Sequence, residues 1–328
     1  MLLNLCHYNV RVEPITKLNE NEHTPVLLHE VLRGLNLRPN GFYIDCTFGR
    51  GGHSRAVLPS LDSQGRLLVF DKDVAAIEYA KSLFTNDARV IFIHASFTSL
   101  ITVVKNLHML GKVDGILLDL GVSSPQLDNP DYGFSFVRDG KLDMRMNDTT
   151  GITAAEWINT AKLAEIEQVI RVYGEERYAR RIARAIVAAR TEAHITHTVQ
   201  LANIIASAVP TVERKKNPAT RTFQAIRIFI NNELGDLRSV LSQVREVLRP
   251  GGRLVVISFH SLEDRIVKQF MREAAKGDDF PPEIPVTVRD IAPWFRIVNK
   301  VVKPGQEEIS RNPRARSAIL RVGEKLAA

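Results

Sequence analysis

A glycine-rich turn follows an acid at the first predicted strand end of this 328-residue chain. The segment reads Asp45-Cys46-Thr47-Phe48-Gly49-Arg50-Gly51-Gly52-His53-Ser54. Glycines let a ligand approach the backbone closely, and a helix N-terminus favours a carboxylate or phosphate. The spacing is not GxGxxG, which favours S-adenosylmethionine over NAD, because a methionine carboxylate needs a smaller cradle. The candidate contacts are Asp45, Gly49, Gly51 and Gly52; a tight turn without a ligand is the alternative.

A second acid, Asp71, ends the next predicted strand. An aspartate about 20 residues beyond the glycine turn can accept hydrogen bonds from both hydroxyls of a ribose. The alternative is that Asp71 caps the following helix. Phe97 follows the third predicted strand, where its ring could lie beside an adenine. An aromatic residue at a strand end is more often part of the core, so this assignment depends on the resemblance described below.

The fourth predicted strand ends in Asp119-Leu120-Gly121-Val122-Ser123-Ser124-Pro125-Gln126-Leu127-Asp128. Open α/β sheets bind ligands beyond the carboxyl ends of their strands. Carboxylates, hydroxyls and backbone carbonyls at that place can orient the lone pair of an amine toward a methyl donor. Asp119, Ser124 and Pro125 are therefore candidate catalytic residues. A Ser-Pro turn that only shapes the loop is the alternative.

Other chemistry is disfavoured by the residues present. Methylation at carbon 5 of cytosine needs a cysteine nucleophile, and neither Cys6 nor Cys46 has the expected loop context. Two cysteines also provide no disulfide framework. No His/Asp pairing has the spacing of metal ligands, so we expect no metal.

Two further groups could contact a substrate at the same sheet edge. Phe134 and Phe136 lie in Asp131-Tyr132-Gly133-Phe134-Ser135-Phe136 and could stack an extruded base, although core packing is commoner. His260 follows the fifth predicted strand and could hydrogen-bond the target base or its phosphate. A structural histidine is the alternative.

The elements that position these residues alternate between strands and helices. Apolar runs at 41–47, 66–71, 90–94, 114–120, 251–258 and 318–322 predict strands, with helical spacing at 74–84 and 237–248. This alternation predicts βαβ units and a doubly wound parallel sheet. From 153 to 209 the pattern is helical, with Tyr178, Ile182 and Ile186 on one face. Residues 277–304 have no clear period and are predicted to be loop-rich.

The predicted organisation is a leader at 1–21, an α/β domain at 22–133 and 222–328, and a helical insertion at 134–221. The net charge of +7 suits a polyanionic partner such as nucleic acid. No apolar run reaches the roughly 18 residues of a membrane span, and the leader does not resemble a signal peptide. We therefore expect no membrane partner and a cytoplasmic protein.

Together these segments resemble the bacterial ribosomal RNA small subunit methyltransferase H family, also called the MraW family. The resemblance runs from about His23 over nearly the whole chain. Besides the motifs above, it rests on His23-Thr24-Pro25-Val26-Leu27-Leu28, Leu142-Asp143-Met144-Arg145-Met146, Phe223-Gln224-Ala225-Ile226-Arg227-Ile228, Ser258 to Lys268, and Asn312-Pro313-Arg314-Ala315-Arg316-Ser317. One departure is Lys141, which stands where the family usually has proline.

The resemblance implies a class I S-adenosylmethionine-dependent methyltransferase with a Rossmann-like sheet and an inserted helical domain. It implies N4 methylation of a decoding-centre cytosine, C1402 in the usual numbering, of 16S ribosomal RNA. S-adenosylhomocysteine would be the product, and the substrate would lie within the small ribosomal subunit. The implied cofactor contacts are Gly51, Gly52, His53, Asp71, Phe97, Asp119 and Gln126. The oligomeric state stays open, a homodimer included.

Basic residues in and beyond the insertion could neutralise RNA phosphates. The candidates are Arg145, Arg214, Lys215, Lys216, Arg221, Arg314 and Arg316. For the helix around 171–190 a solvated face with Glu175 and Glu176 as partners is the alternative. Two other functions also remain: a class I methyltransferase acting on another RNA, a protein or a small molecule, and a non-catalytic ribosome-assembly factor.

Overall fold

The computed structural model describes residues 25–210, 217–277 and 293–327. Its sheet contains β1 Phe42–Asp45, β2 Arg66–Asp71, β3 Val90–His94, β4 Val113–Asp119, β5 Leu248–Ser258, β6 Phe295–Ile297 and β7 Ile319–Lys325. The strand order is β3-β2-β1-β4-β5-β7-β6. Strands β1 to β5 pair in parallel, whereas β7 pairs antiparallel with both β5 and β6. The predicted doubly wound sheet is therefore confirmed.

The strand order reverses between β1 and β4. From β1 the chain builds β2 and β3 toward one edge, and it then returns to build β4 and β5 on the other side. Such a reversal leaves a crevice at the carboxyl ends of the two central strands, because the connecting helices diverge there. The carboxyl ends of β1 and β4 are Asp45 and Asp119.

Helices cover both faces of the sheet, which explains the nearly continuous apolar strands. In chain order, the helices of the described residues are α1 Leu28–Leu35, α2 Gly52–Val57, α3 Val74–Leu83, α4 Leu100–Asn106, α5 Ser124–Asp128, α6 Ala154–Thr160, α7 Leu163–Gly174, α8 Ala179–Glu192, α9 Thr198–Ala208, α10 Thr220–Ile230, α11 Glu233–Val247, α12 Ser261–Lys276 and α13 Gln306–Arg311. Leu67 and Val69 of β2 pack in the cluster with α1 to α3. Leu68 and Phe70 point the other way, toward α4, α11 and α12.

Helices α6 to α10 form a separate apolar cluster between β4 and β5 in the chain. Ile182 and Ile186 are fully buried in it, and Tyr178 packs at its edge, as the helical spacing predicts. Phe223 and Ile226 of α10 belong to the same cluster. The predicted boundary between residues 221 and 222 thus falls inside α10, and the helical block continues to Ile230.

One strand differs from the sequence expectations. Residues 295–297, within the stretch predicted to be loop-rich, form the edge strand β6. A three-residue strand is too short for a periodic pattern, and only its pairing with β7 defines it. The leader at 1–21 and the loop-rich residues 278–292 lie outside the described residues. Within the described part, no helix is long and apolar enough to cross a membrane.

Candidate active site

A cavity of about 1140 Å³ lies where the carboxyl ends of the central strands face the helical block. Its wall also includes the C-terminal 3-10 turn Pro313–Ser317. Most of the predicted site residues line this one cavity: Gly49, Gly52, His53, Asp71, Phe97, Asp119, Ser124, Pro125, Gln126, Phe134, Phe136, His260 and Arg314. Asp45 and Gly51 are not part of the lining.

Asp45 supports the glycine turn from beneath. Its buried carboxylate accepts hydrogen bonds from Ser54 Oγ at 2.7 Å and from the Thr47 N–H at 3.1 Å. Burial raises the pKa of Asp45 above its usual value, and the Ser54 hydrogen bond opposes that shift. Gly51 has a φ of 70°, and a Cβ there would lie 2.5 Å from the Phe48 ring. The turn therefore needs glycine at this position.

Asp71 holds two backbone segments at the mouth of the turn. One carboxylate oxygen accepts from the Gly49 N–H at 2.8 Å, and the other accepts from the Asp73 N–H at 2.9 Å. The cap of α3 is Asp73, whose side chain accepts from the Ala75 N–H. The helix-capping alternative for Asp71 is therefore wrong. Burial raises the pKa of Asp71 to about 6.

Phe97 begins a 3-10 turn just beyond β3 and is half-buried on the cavity wall. The Lys72 ammonium lies 5.9 Å from the centre of its ring. Lys72 is itself paired with Asp236, which also accepts a hydrogen bond from Ser96 Oγ at 3.2 Å. The ring thus lines the same cavity as Asp71, an arrangement compatible with an adenine site.

Asp119 has an oxygen that the described residues leave without a hydrogen bond. Its N–H donates to Thr47 Oγ1 at 2.7 Å, which joins the ends of β4 and β1. Its Oδ2 lies 3.5 Å from His53 Nε2, while Oδ1 and both His53 nitrogens are buried without a hydrogen-bond partner. A buried polar atom left unsatisfied costs about 1–3 kcal/mol. The Asp119 side chain is 26% exposed and lines the cavity, so its carboxylate can contact a bound molecule.

The loop after Asp119 is fixed by hydrogen bonds to the loop after β2. Gln126 accepts from the Ser123 N–H at 2.9 Å and donates to Asp73 Oδ2 at 3.0 Å. Tyr132 donates to the same Asp73 oxygen at 2.9 Å. Pro125 lies in the first turn of α5, where its fixed φ favours the helix and its missing N–H is tolerated. The Gln126 amide thus connects the loops on the two sides of the cavity.

His260 precedes α12 and caps it. Its Nδ1 accepts from the Glu263 N–H at 3.4 Å, and Glu263 accepts from the Phe259 N–H at 2.8 Å. His260 Nε2 lies 3.2 Å from Glu263 Oε1 without hydrogen-bond geometry. Burial alone would raise the pKa of Glu263, but His260 and the nearby Arg227 hold it below its usual value. His260 therefore has a structural role and also reaches the cavity.

The sequence model of the MraW methylase family matches residues 20–326. This chain belongs to the MraW methylase family. It is 55% identical over 306 residues to the ribosomal RNA small subunit methyltransferase H of Nitrosococcus oceani, covering 93% of this chain and 97% of that one. The protein of the same name from Legionella pneumophila strain Paris is 54% identical, with 93% and 99% covered. An rRNA methylase structure from Streptococcus thermophilus aligns with a TM-score of 0.41 at 10% identity, covering 92% of this chain and 96% of that one.

The methylase depends on S-adenosylmethionine, and its doubly wound sheet is Rossmann-like, as predicted. The cavity fits this donor in three respects. Gly49 and Gly51 keep the backbone turn free of side chains, with φ of 55° and 70°. The carboxylate of Asp71 and the ring of Phe97 line the same cavity, at the end of β2 and just beyond the end of β3. The buried nitrogens of His53 also lack partners on the same wall.

The residues predicted to contact RNA occupy different environments in the methylase. Phe134 stacks on Tyr132 at 6.1 Å, and Phe136 meets Phe223 edge-on at 4.8 Å. Both belong to the helical cluster and still line the cavity. They therefore combine core packing with access to a ligand.

The arginines predicted to contact RNA differ in whether they already form ion pairs with acids of the same chain. Arg145 donates to both oxygens of Asp143, at 2.7 and 2.8 Å. Arg314 pairs with Asp128 at the cavity rim, and Arg221 lies 3.9 Å from Glu176. Arg316 is exposed. Arg214, Lys215 and Lys216 lie outside the described residues.

The alternative for the helix around 171–190 was a solvated face with Glu175 and Glu176 as partners of its arginines. Both acids have other partners in the structure. Glu175 pairs with Arg265 at 2.9 Å and accepts from Ser261 Oγ at 2.6 Å, both on α12. Glu176 is buried and accepts from the Tyr178 N–H. These two acids thus fix the helical block to itself and to α12 instead of neutralising the arginines of α8.

A buried group of charges on the cavity wall had no assigned role from sequence. Arg227 of α10 donates through Nε and Nη2 to both oxygens of Glu233, at 2.8 and 2.9 Å. The potential ligand atoms of Glu233, His260 and Glu263 lie within 4.8 Å of one another, close enough for a cation. Arg227 already neutralises Glu233, so the absence of a metal stays our expectation. Arg227 lies in the Phe223 to Ile228 motif, but the spacing of residues in that motif is not typical of any catalytic or binding site.

Proposed function

We propose that this methylase transfers a methyl group from S-adenosylmethionine to the exocyclic N4 amine of a cytosine in 16S ribosomal RNA, at C1402. The observation that carries the proposal is Asp119, with a buried carboxylate oxygen lacking a partner in the cavity wall. The relatives named ribosomal RNA small subunit methyltransferase H support the choice of RNA. We further propose that the substrate lies within the small ribosomal subunit, which would place the enzyme in the cytoplasm.

Asp71 and Phe97 would hold the ribose and adenine, and the backbone of the glycine turn would approach the methionine carboxylate. When bound, S-adenosylmethionine supplies a methyl group made electrophilic by its sulfonium. His53, which lies 3.5 Å from Asp119, would help orient that carboxylate. Asp45 and Gly51 act indirectly, by holding the shape of the turn. Gln126, whose amide is used by Ser123 and Asp73, would likewise position the loop around the cofactor.

The acceptor amine would be oriented by Asp119 Oδ1 and the loop at Ser124-Pro125. An N–H of the amine donates to Asp119, and a backbone carbonyl before Pro125 accepts the other. Fixing both hydrogens directs the nitrogen lone pair out of the base plane, toward the methyl group. As the N–C bond forms and the S–C bond breaks, the nitrogen gains positive charge, which the carboxylate stabilises. The surplus proton then leaves to Asp119 or to water.

A base must leave its helix to reach this site. Phe136 and Phe223 of the helical cluster form an aromatic wall of the cavity, along which an extruded base could stack. Arg316, which is exposed, and Arg314, after it releases Asp128, would contact flanking phosphates from the C-terminal turn.

Mass spectrometry of 16S rRNA fragments tests the assignment directly. Cells lacking the protein should lose one methyl group at N4 of C1402, and the wild-type protein should restore it. Asp119→Asn should fail to restore it and should lower the single-turnover rate about 100-fold at saturating S-adenosylmethionine.

Asp131→Asn is the matched control, since Asp131 is an exposed acid beyond the same loop and should behave as wild type. An unchanged C1402, or a label from S-adenosylmethionine found only on a protein or small molecule, would contradict the proposal. A single-turnover rate for Asp119→Asn within about threefold of wild type, under roughly 1 kcal/mol of barrier, would exclude a central role for Asp119.

A further inference from the structure

The buried charges beside His260 leave one donor group available to the cavity. Arg227 donates hydrogen bonds from Nε and Nη2 to the Glu233 carboxylate. Within the described residues its Nη1 has no hydrogen-bond partner, and Arg227 lines the cavity. Its side chain is 16% exposed and that of Glu233 is 9% exposed. The guanidinium is therefore held rigidly, with two N–H groups of Nη1 free to donate.

The charge around Arg227 favours a neutral acceptor over a phosphate. Glu233 already balances its positive charge, and Glu263 adds a second carboxylate whose charge Arg227 also feels. A phosphate entering here would be repelled by the carboxylates of Glu233 and Glu263. A carbonyl oxygen or ring nitrogen would instead gain a charge-assisted hydrogen bond without repulsion.

Arg227 lines the same cavity as the groups that would hold the amine. Asp119 pairs with Ile257 in the sheet, and His260 follows three residues beyond Ile257. Phe223, one turn before Arg227 on α10, carries the edge-on contact with Phe136. A cytosine lying along this aromatic wall with its N4 amine at Asp119 would present N3 and O2 on that same edge of the base.

We infer that Arg227 Nη1 donates to the N3–O2 edge of the target cytosine, and that Glu233 fixes it for this task. The inference rests on the proposed function, because it takes the acceptor to be cytosine. The N3 and O2 atoms of cytosine are both acceptors, so the two free N–H groups match them. Arg227 would thereby fix the rotation of the base that brings N4 to Asp119.

Atom replacement in the substrate can test this contact. The substrates are small subunits assembled on ligated 16S rRNA with cytidine, 3-deazacytidine or 2-thiocytidine at the target position. For the wild type, at least one replacement should lower the single-turnover rate tenfold or more, about 1.4 kcal/mol. Arg227→Met combined with Glu233→Gln should be slow on cytidine and should lose less than about twofold on the same replacement.

Arg321→Met combined with Asp264→Asn is the matched control. Arg321 grips both oxygens of Asp264 at 2.7 and 3.0 Å with similar exposure, but it does not line the cavity. This control should keep the wild-type sensitivity to the replacements. Calorimetric binding of S-adenosylmethionine checks that each variant is folded. If the Arg227 double variant does not bind S-adenosylmethionine, the Arg227→Lys variant is measured instead. Lysine keeps the positive charge beside Glu233 but lacks the paired N–H donors of the guanidinium.

Equal losses in the wild type and the Arg227 variant would overturn the inference. So would a fall of about 0.9 in the salt-dependence slope of RNA binding for the Arg227 variant, which would indicate a phosphate contact. If the wild type does not methylate the cytidine substrate at all, the proposed function fails instead. The two failures are therefore distinguishable.

Discussion

At the scale of single residues, Asp71 meets two opposing demands. Burial raises its pKa to about 6, whereas the backbone N–H groups of Asp73 and Gly49 favour its charged form. A ribose diol donates best to a carboxylate, so binding of S-adenosylmethionine also requires the charged form. The raised pKa means that folding favours the protonated acid. Ionised Asp71 therefore lowers the stability of the free protein above about pH 6, and this cost disappears as the pH falls toward the ordinary value of 3.8.

We predict that the affinity for S-adenosylmethionine falls as the pH decreases below about 6. The decrease should approach tenfold per pH unit, because one proton competes with the ligand. Asp71→Asn should bind about 10- to 100-fold more weakly at pH 8, as expected for one or two hydrogen bonds to a charged group. Its affinity should also change little with pH. Calorimetry from pH 5 to pH 8 measures both, and parallel pH profiles for the two proteins would contradict a ribose contact at Asp71.

Residues at strand ends could be predicted from sequence, whereas the buried charges could not. Asp71 and Asp119 end apolar runs, and the carboxyl ends of parallel strands share one edge of the sheet. The pairing of Arg227 with Glu233 depends on the angle at which α10 leads into α11. The proximity of Glu263 depends further on α12. No spacing in the sequence expresses these angles, since packing sets them.

At the scale of elements, α7 and α10 are in close contact at a glycine. A Cβ at Gly174 would lie 2.8 Å from the carbonyl oxygen of Arg221 and 3.3 Å from the Ala225 Cβ. The clash at Arg221 is with backbone, which cannot rotate away. Phe223 and Arg227 lie on the same helix and line the cavity. The contact at Gly174 therefore sets how far the wall of α10 extends toward the sheet.

Gly174→Ala should displace α10 and lower the free energy of unfolding by about 1–3 kcal/mol, as overpacking does. It should also slow methylation while leaving the affinity for S-adenosylmethionine within about twofold, because α7 packs mainly on α8 and α10 and not on the strands that end at Asp71 and Asp119. Urea denaturation and calorimetry measure these effects. Gly305→Ala is the control, since a Cβ there meets nothing within 4 Å. A Gly174→Ala protein as stable as this control would show that the helices can separate freely.

The bounds of helices and strands also show where sequence periodicity stops predicting secondary structure. The helices α3 and α11 and the strands β2 and β3 were predicted to within a few residues, because periodicity marks them. Strand β6 was missed, since three residues at a sheet edge have no measurable period. The limit of the insertion was placed inside α10, where the helix serves both the block and the cavity. A helix that contacts two bodies has apolar residues on more than one face.

At the scale of the whole molecule, the cavity lies between a sheet that would bind the cofactor and a helical block that would bind RNA. The net charge of +7 favours a polyanion on a long-range basis. At short range the basic residues are not equally available to RNA, because Arg145 and Arg221 already lie beside acids of the same protein. Only basic residues without such partners should add strongly to the salt dependence of RNA binding.

Charge reversal at Arg214, Lys215 and Lys216 should weaken RNA binding and leave the affinity for S-adenosylmethionine intact. The slope of log affinity against log salt should fall by up to about 0.9 for each lost phosphate contact. Filter binding across a salt series measures the slope. Arg145→Gln is the comparison, and its slope should stay close to wild type because Asp143 already occupies that guanidinium. Equal slopes for the triple variant and the wild type would remove this cluster from the RNA contacts.

The insertion between β4 and β5 has a consequence for how the protein is made. Strand β5 begins at residue 248, 129 residues after β4 ends at residue 119. At about 5–20 residues per second, a ribosome needs roughly 6–26 s to synthesise that interval. Helices α6 to α10 make local contacts and fold early, whereas one edge of β4 stays unpaired until β5 has been synthesised. We therefore expect nascent chains shorter than about 250 residues to depend on chaperones, because an unpaired apolar strand edge aggregates readily.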